Sequence, residues 1–354
     1  MPKVLMVLPN DELGGAEQIM RMIAHNLDFS VLNIHFLTRR KSDNWEFKQK
    51  NIDIFYTNTS HILIGIVQFI FYFFKSPKKR FDYVITTHAF VTGLVGILIS
   101  FNLIKSNIFI GRESTEIFRR YSGLKLVFYR FLYYYGYSKL NLLICQTERM
   151  KQNLIYNVPG IDKKINIKVV PNPIDLSSIN VQSIDIDKPF IVGAGRLIRE
   201  KGFDLLIEAF KDFLVIHPEY KLLILGEGKE RVNLELLINN LNLKNNVVLM
   251  GKVANVYSYF KYAKLCVVSS RIEGFPNVLL QMMSQNAKVV STNCAGEINN
   301  IKGIFLADVN NTDSLYNAIL SGIHSDCINT QNYFNLYLEE RSIKKFIYNV
   351  FQFE

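Results

Sequence analysis

Two rounds of the same alternation run along this chain, short uninterrupted apolar runs followed by helical stretches, and few folds accommodate that. The first round reads as strands at Val4–Leu8, Val31–Leu37, Tyr83–Thr86, Ile108–Ile110 and Leu142–Cys145, with helices notably at Ala16–Asn26 and Val91–Leu98. A second starts at Lys188 with strand Phe190–Gly193, helix Phe203–Phe213, strand Lys221–Leu225, helix Glu230–Leu241 and strand Val247–Met250. It continues through strand Leu265–Val268, helix Asn277–Gln285 and strand Lys288–Thr292. Strands apolar on both faces are buried on both faces, so alternation with helices implies parallel sheets joined by right-handed crossovers. Pro171, Pro173 and the polar run Ser177–Lys188 mark the joint between rounds, and 354 residues suit two α/β domains better than one.

Composition narrows the class. A 49% hydrophobic content is globular. Cys145, Cys266, Cys294 and Cys327 show no paired spacing, which suits reduced thiols rather than a disulfide framework or a zinc site. The first apolar run meets Asn10-Asp11-Glu12 within a few residues, so it reads as a first strand rather than a signal peptide, and a cytoplasmic protein is expected. The formal net charge of +10 favours an anionic partner. His61 to Phe74 is almost wholly apolar and aromatic, is too short for a span of about 20 residues, and runs into Lys75-Ser76-Pro77-Lys78-Lys79-Arg80. A second stretch interleaves Arg119, Arg120, Lys125, Arg130 and Lys139 with Phe118, Tyr121 and Tyr133-Tyr134-Tyr135. Aromatic rings beside cations suit an anionic membrane interface; a core helix with a solvated end is the alternative for the first stretch.

The segment Ser269-Ser270-Arg271-Ile272-Glu273-Gly274-Phe275-Pro276-Asn277-Val278-Leu279-Leu280-Gln281 concentrates the chemistry. It leaves an apolar strand, passes a small-residue loop with one carboxylate, and enters a helix, which is where open α/β sheets bind ligands. Gly274 permits close backbone approach, Pro276 suits the first helical turn, and Gln281 lies two turns beyond Glu273. The segment resembles the Glu-x7-Glu signature of retaining glycosyltransferases of family four, with Gln281 in place of the second glutamate. Further motifs follow that family's order: Leu13-Gly14-Gly15-Ala16-Glu17-Gln18, Val170-Pro171-Asn172-Pro173-Ile174-Asp175, Gly193-Ala194-Gly195-Arg196-Leu197 with Glu200-Lys201-Gly202, and Leu225-Gly226-Glu227-Gly228.

The resemblance implies a GT-B fold, two Rossmann-like doubly wound parallel-sheet domains facing a cleft. Its limits would be 1–175 for the acceptor-side domain, with the terminal 335–354 packed back on it, and 176–334 for the donor domain. It also implies transfer of a hexose or N-acetylhexosamine from a UDP-sugar or GDP-sugar to a carbohydrate acceptor. That acceptor is expected to be oligosaccharide or lipid-linked, as in O-antigen or capsule assembly, at the inner face of the cytoplasmic membrane. No cofactor, metal or nucleic acid is expected.

Retaining chemistry of this kind needs cations where charge grows on the departing diphosphate. Arg196 and Lys201 fill that role, with Gly14 and Gly15 offering backbone N–H groups; ordinary solvated cations are the alternative. Glu273 would meet the donor sugar, with Gly274, Phe275, Pro276 and Asn277 around it, and Gln281 would make one neutral bond to ribose. Asn172 and Val253 join the nucleotide site by resemblance. His88, after the Tyr83–Thr86 strand, matches a histidine that faces the sugar. Arg112 and Glu113 are acceptor-side candidates, or else a salt-bridged loop pair. Asp185-Ile186-Asp187 has the form of a metal-holding motif but falls in the polar joint, which favours a solvated linker. Gly193-Ala194-Gly195 lacks the third glycine of a dinucleotide loop, Ile198 standing there. An epimerase or phosphorylase of the same fold, or a non-catalytic membrane- or RNA-binding protein, are the rival readings.

Overall fold

Each apolar run splits its side chains between two cores. In the computed structural model, which describes residues 1–40, 45–47, 51–75, 79–177 and 179–351, Val4, Met6 and Leu8 enter one core while Leu5 and Val7 enter another. That period-2 division requires helices on both sides of the sheet. Seven parallel strands form this first sheet: β1 (Lys3–Leu8), β2 (Val31–Phe36), β3 (Ile52–Tyr56), β4 (Arg80–Thr87), β5 (Lys105–Arg112), β6 (Leu142–Cys145) and β7 (Asn166–Val169). Their order is β3-β2-β1-β4-β5-β6-β7. The Gly15–Asn26 and Ile343–Val350 helices cover one face; Ile62–Lys75, Ala89–Ser100 and Glu148–Asn157 cover the other.

The second sheet has six parallel strands, β8 (Phe190–Ala194), β9 (Lys221–Leu225), β10 (Val247–Gly251), β11 (Leu265–Val268), β12 (Val289–Thr292) and β13 (Phe305–Ala307). They are ordered β10-β9-β8-β11-β12-β13. Helices Phe203–Ile216, Arg231–Asn240 and Thr312–His324 pack on one face, and Val256–Tyr262, Asn277–Met283 and Thr330–Glu339 on the other. The chain divides into two compact units, Met1–Pro173 with Ile343–Glu354, and Ile174–Ser342. Both are Rossmann-like.

Several elements depart from the sequence reading. Strands β3, β7 and β13 lie at sheet edges, where pairing on one side demands less apolar sequence; no residue of β3 is fully buried. The terminal stretch expected at 335–354 to pack on the first domain belongs to two helices, Thr330–Glu339 and Ile343–Val350. Phe334 and Leu338 are buried in the second unit, whereas Ile343, Phe346 and Val350 are buried in the first, with the break at Glu340–Ser342. Its end, residues 352–354, lies outside the described residues, as do Ser76, Pro77 and Lys78. In the joint, Ile184 and Ile186 pack against the second unit's core, which leaves Asp185 and Asp187 exposed.

Candidate active site

Strand order reverses once in each sheet, between β1 and β4 in the first and between β8 and β11 in the second. Loops leaving the carboxyl ends of such neighbours diverge to opposite faces and open a crevice. Gly14 and His88 follow β1 and β4, and Arg196, Lys201 and Glu273 follow β8 and β11, whereas Arg112 and Glu113 lie at the end of β5, Asn172 after β7 and Val253 after β10.

In the second unit the loops after β8 and β11 are zipped together. Gly202 has φ +63°, and a Cβ there would lie 2.2 Å from the Ser269 carbonyl oxygen, so only glycine permits this approach. The Ser269 hydroxyl donates to the Lys201 carbonyl at 2.9 Å, and the Arg271 amide donates to the Glu200 carbonyl at 2.7 Å. Arg271 also clasps Asp204 through two bonds of 2.7 Å, and this fork holds the Asp204 carboxyl below its ordinary range against the opposing effect of its burial. The result brings Lys201 Nζ to 2.5 Å from Glu273 Oε1, and the Ser270 hydroxyl donates to the same oxygen at 3.0 Å. Both ends of the pair keep about a fifth of their side-chain surface exposed, at 18% and 19%. The Glu273 amide is fixed on the Cys294 carbonyl at 3.1 Å. Arg196 stands exposed in the same loop.

Other expected members of this group are placed differently. Phe275 is buried in the core under the guanidinium of Arg341, with Gly274 and Pro276 buried beside it. Pro276 is the N-cap of the Asn277–Met283 helix rather than part of its first turn. Gln281, half-buried on that helix, engages the hydroxyl of Tyr257, whose pKa burial raises. Val253 packs half-buried against the core. Asn172 belongs to the first unit.

There, His88 follows β4 with φ +69°, a conformation costly for a side chain with Cβ. Its Nε2 lies 2.6 Å from Glu17 Oε1, and its Nδ1 is 3.0 Å from the Ser114 hydroxyl. An ionised carboxylate only accepts, so in the neutral ring Nε2 carries the hydrogen and Nδ1 accepts from Ser114. Glu17 folds back over the start of its own helix: a Cβ at Gly14 would sit 2.5 Å from Glu17 Oε2. Gly14 thus makes room for a carboxylate of this chain.

Arg112 and Glu113 are not a salt-bridged loop pair. Arg112 is the last residue of β5, and both side chains are 2% exposed. Glu113 accepts from the hydroxyls of Tyr137 at 2.5 Å and Tyr133 at 3.1 Å, both carried by the turns around a π-helix at Leu132–Gly136. Burial pushes the Glu113 carboxyl up to about 7, against the opposing pull of the two tyrosines. Arg112 Nη2 donates to Asn172 Oδ1 at 2.5 Å, Asn172 Nδ2 to Gln146 Oε1 at 3.1 Å, and Gln146 Nε2 to the Glu113 carbonyl at 2.9 Å. Sequence reasoning missed Glu17, Ser114, Gln146 and the tyrosine pair as partners. Glu17 stood inside the quoted Gly-Gly-Ala-Glu motif, which was the available signal; the others carried none.

Residues 177–340 match the family described as Glycosyl transferases group 1. An uncharacterized glycosyltransferase of Methanocaldococcus jannaschii is 32% identical over 180 residues, 48% of this chain and 43% of its own length. The Campylobacter jejuni N-acetylgalactosamine-N,N'-diacetylbacillosaminyl-diphospho-undecaprenol 4-alpha-N-acetylgalactosaminyltransferase is 30% identical over 204 residues, 56% and 54% of the two chains. The chain spans about half the length of these curated relatives. In fold, the Anabaena HepE protein in complex with UDP-glucose superposes with a TM-score of 0.82 at 16% identity, covering 99% of both chains. That match spans nearly the whole of the second unit, and the chain as a whole has the GT-B fold.

Proposed function

We propose that this chain is a retaining, metal-independent glycosyltransferase. It moves a hexose or N-acetylhexosamine from a UDP-sugar, or a GDP-sugar, to a lipid-linked carbohydrate acceptor in polysaccharide assembly. The observation that carries this reading is the Lys201–Glu273 pair at 2.5 Å, beside exposed Arg196, at the reversal point of the second sheet. On arrival of a donor, its diphosphate competes for the Lys201 ammonium and Arg196 supplies a planar fork. Glu273, still held by Ser270, is then free to accept from the sugar's hydroxyls. As the glycosidic bond breaks, negative charge grows on the diphosphate and the two cations stabilise it. HepE's complex with UDP-glucose and the Campylobacter relative's undecaprenol-linked substrate support the choice of donor and acceptor class.

Membrane contact belongs to the same reading. The Ile62–Lys75 helix exposes Leu63, Val67, Phe71 and Phe74, and the Gly123–Phe131 helix exposes Leu124, Val127, Phe128 and Phe131. Lys75 lies over Phe71, Lys125 over Tyr121 and Lys164 over Tyr134, each within 5 Å of the ring centre. These suit an anionic interface at the inner face of the cytoplasmic membrane. No described helix is long and apolar enough to cross a membrane.

The test is a transfer assay over a panel of nucleotide sugars with an undecaprenyl-diphosphate-linked acceptor, read by NMR at the new anomeric centre. One donor should react with retained configuration, with activity unaffected by EDTA. An inverted product, or binding of donors without hydrolysis or transfer, would overturn the reading.

A further inference from the structure

Arg112 is a buried cation of the first unit with most of its donors unfilled. It sits at the carboxyl end of β5, 2% exposed, and Nη2 alone has an acceptor, Asn172 Oδ1. Nε and Nη1 are buried with no hydrogen-bond partner, which leaves three N–H bonds empty on a guanidinium that cannot readily shed its charge. Two carboxylates lie near enough to act through space, yet each is committed elsewhere: Glu17 to His88 at 2.6 Å, Glu113 to Tyr133 and Tyr137. Burial outweighs both, holding Arg112 down at about 10. The relay from Asn172 through Gln146 to the Glu113 backbone meanwhile fixes the guanidinium's orientation. Keeping a cation buried and aimed with most of its donors unfilled is costly, and an arriving anion removes that cost.

We propose that Arg112 is the receptor for an oxyanion, a phosphate or a carboxylate, carried by the acceptor. This rests on the glycosyltransferase reading above and on Arg112 as its acceptor-side candidate from the sequence, and it requires an acceptor that carries an anion. Asn172 is a positioning residue: it takes one N–H and directs the others. Glu17, bound to His88, acts on Arg112 through space, so its carboxylate repels an anion that arrives from its side.

The probe is inorganic phosphate followed by 31P NMR line width, in an Arg196→Ala/Lys201→Ala background so that the second unit's cations do not report. Phosphate should broaden in that background. Adding Arg112→Gln should weaken binding about ten- to a hundredfold, and Arg112→Lys, which keeps the charge but loses the planar donors, should fall between. Displacement by acetate at matched concentration identifies a carboxylate site, and resistance to it a phosphate site. Equal phosphate binding with and without Arg112, or none in the background protein, overturns the proposal. Loss of folding in Arg112→Gln together with unaltered binding in Arg112→Lys also overturns it, because the guanidinium would then serve the fold. Failure of the donor reading is visible separately, as full transfer activity in the Arg196→Ala/Lys201→Ala protein.

Discussion

Glu113 should make the first unit less stable as pH rises through neutrality, and Glu113→Gln should abolish that loss. Its folded carboxyl titrates near 7 against an ordinary 4.5, because it is buried. A carboxyl raised in the fold keeps its proton there while the unfolded chain releases it. Its contribution is therefore fully present below about pH 4.5 and is lost as pH rises through about 7. At about 1.4 kcal/mol per pH unit, the fall approaches roughly 3 kcal/mol across that window. His35 acts in the opposite sense: burial, then Lys79, hold it down at about 3, so its contribution is lost as pH falls below 6.5. Comparing Glu113→Gln with wild type cancels His35 and any constant offset of the substitution. The assay is urea unfolding from pH 4.5 to 8.5, followed by tryptophan fluorescence. Trp45 is the chain's single tryptophan and is buried in the same unit, so the signal reports on the unit that holds Glu113. The stability difference between variant and wild type should climb by roughly 3 kcal/mol toward high pH. Parallel profiles would refute the account of a carboxyl kept neutral by burial.

Four further outcomes follow from the same geometry. Lys201→Ala and Arg196→Ala should each lower turnover by roughly two to three powers of ten. In Lys201→Ala the fold should also weaken measurably in thermal melting, since Glu273 keeps only Ser270 as a side-chain partner. Gly202→Ala should cost about 2 kcal/mol or more in chemical unfolding, from a left-handed backbone and the collision with Ser269, and should lose turnover with Lys201 displaced. Glu17→Ala should lower turnover about tenfold or more, and Glu17→Gln should recover most of it if the carboxylate only orients His88; equal loss in both would show that its charge is needed. Liposome co-sedimentation should depend on Lys75, Lys125, Arg130 and Lys164, each contributing about 1 kcal/mol on anionic vesicles and less at high salt. Lys79, Arg80 and Arg119 should matter less, because Lys79 donates to Tyr72, Arg80 to Asn107 and Arg119 to Glu116.

The two-sheet architecture was legible in residue order. Runs such as Leu142–Cys145 and Leu265–Val268 are apolar on both faces, and a segment of that kind survives only inside a covered parallel sheet. Glycines at 14 and 202 and the loop carboxylate at 273 marked the places where backbone and ligand chemistry gather, because glycine's freedom and a strand–loop–helix junction are local properties. Partnership was not local. Lys201 and Glu273 lie 72 positions apart, and Glu17 and His88 lie 71 apart. They meet because β8 lies beside β11 and β1 beside β4, and nothing in a local pattern states that strand order. The same limit explains the aromatic–basic stretch. Tyr133 and Tyr137 were indistinguishable in sequence from exposed Tyr134 and Tyr135, until a π-helical turn aimed the first pair inward at a carboxylate on another strand's end. Composition decides that such residues are amphipathic; only the packed chain decides which hydroxyl meets Glu113 and which ring meets solvent.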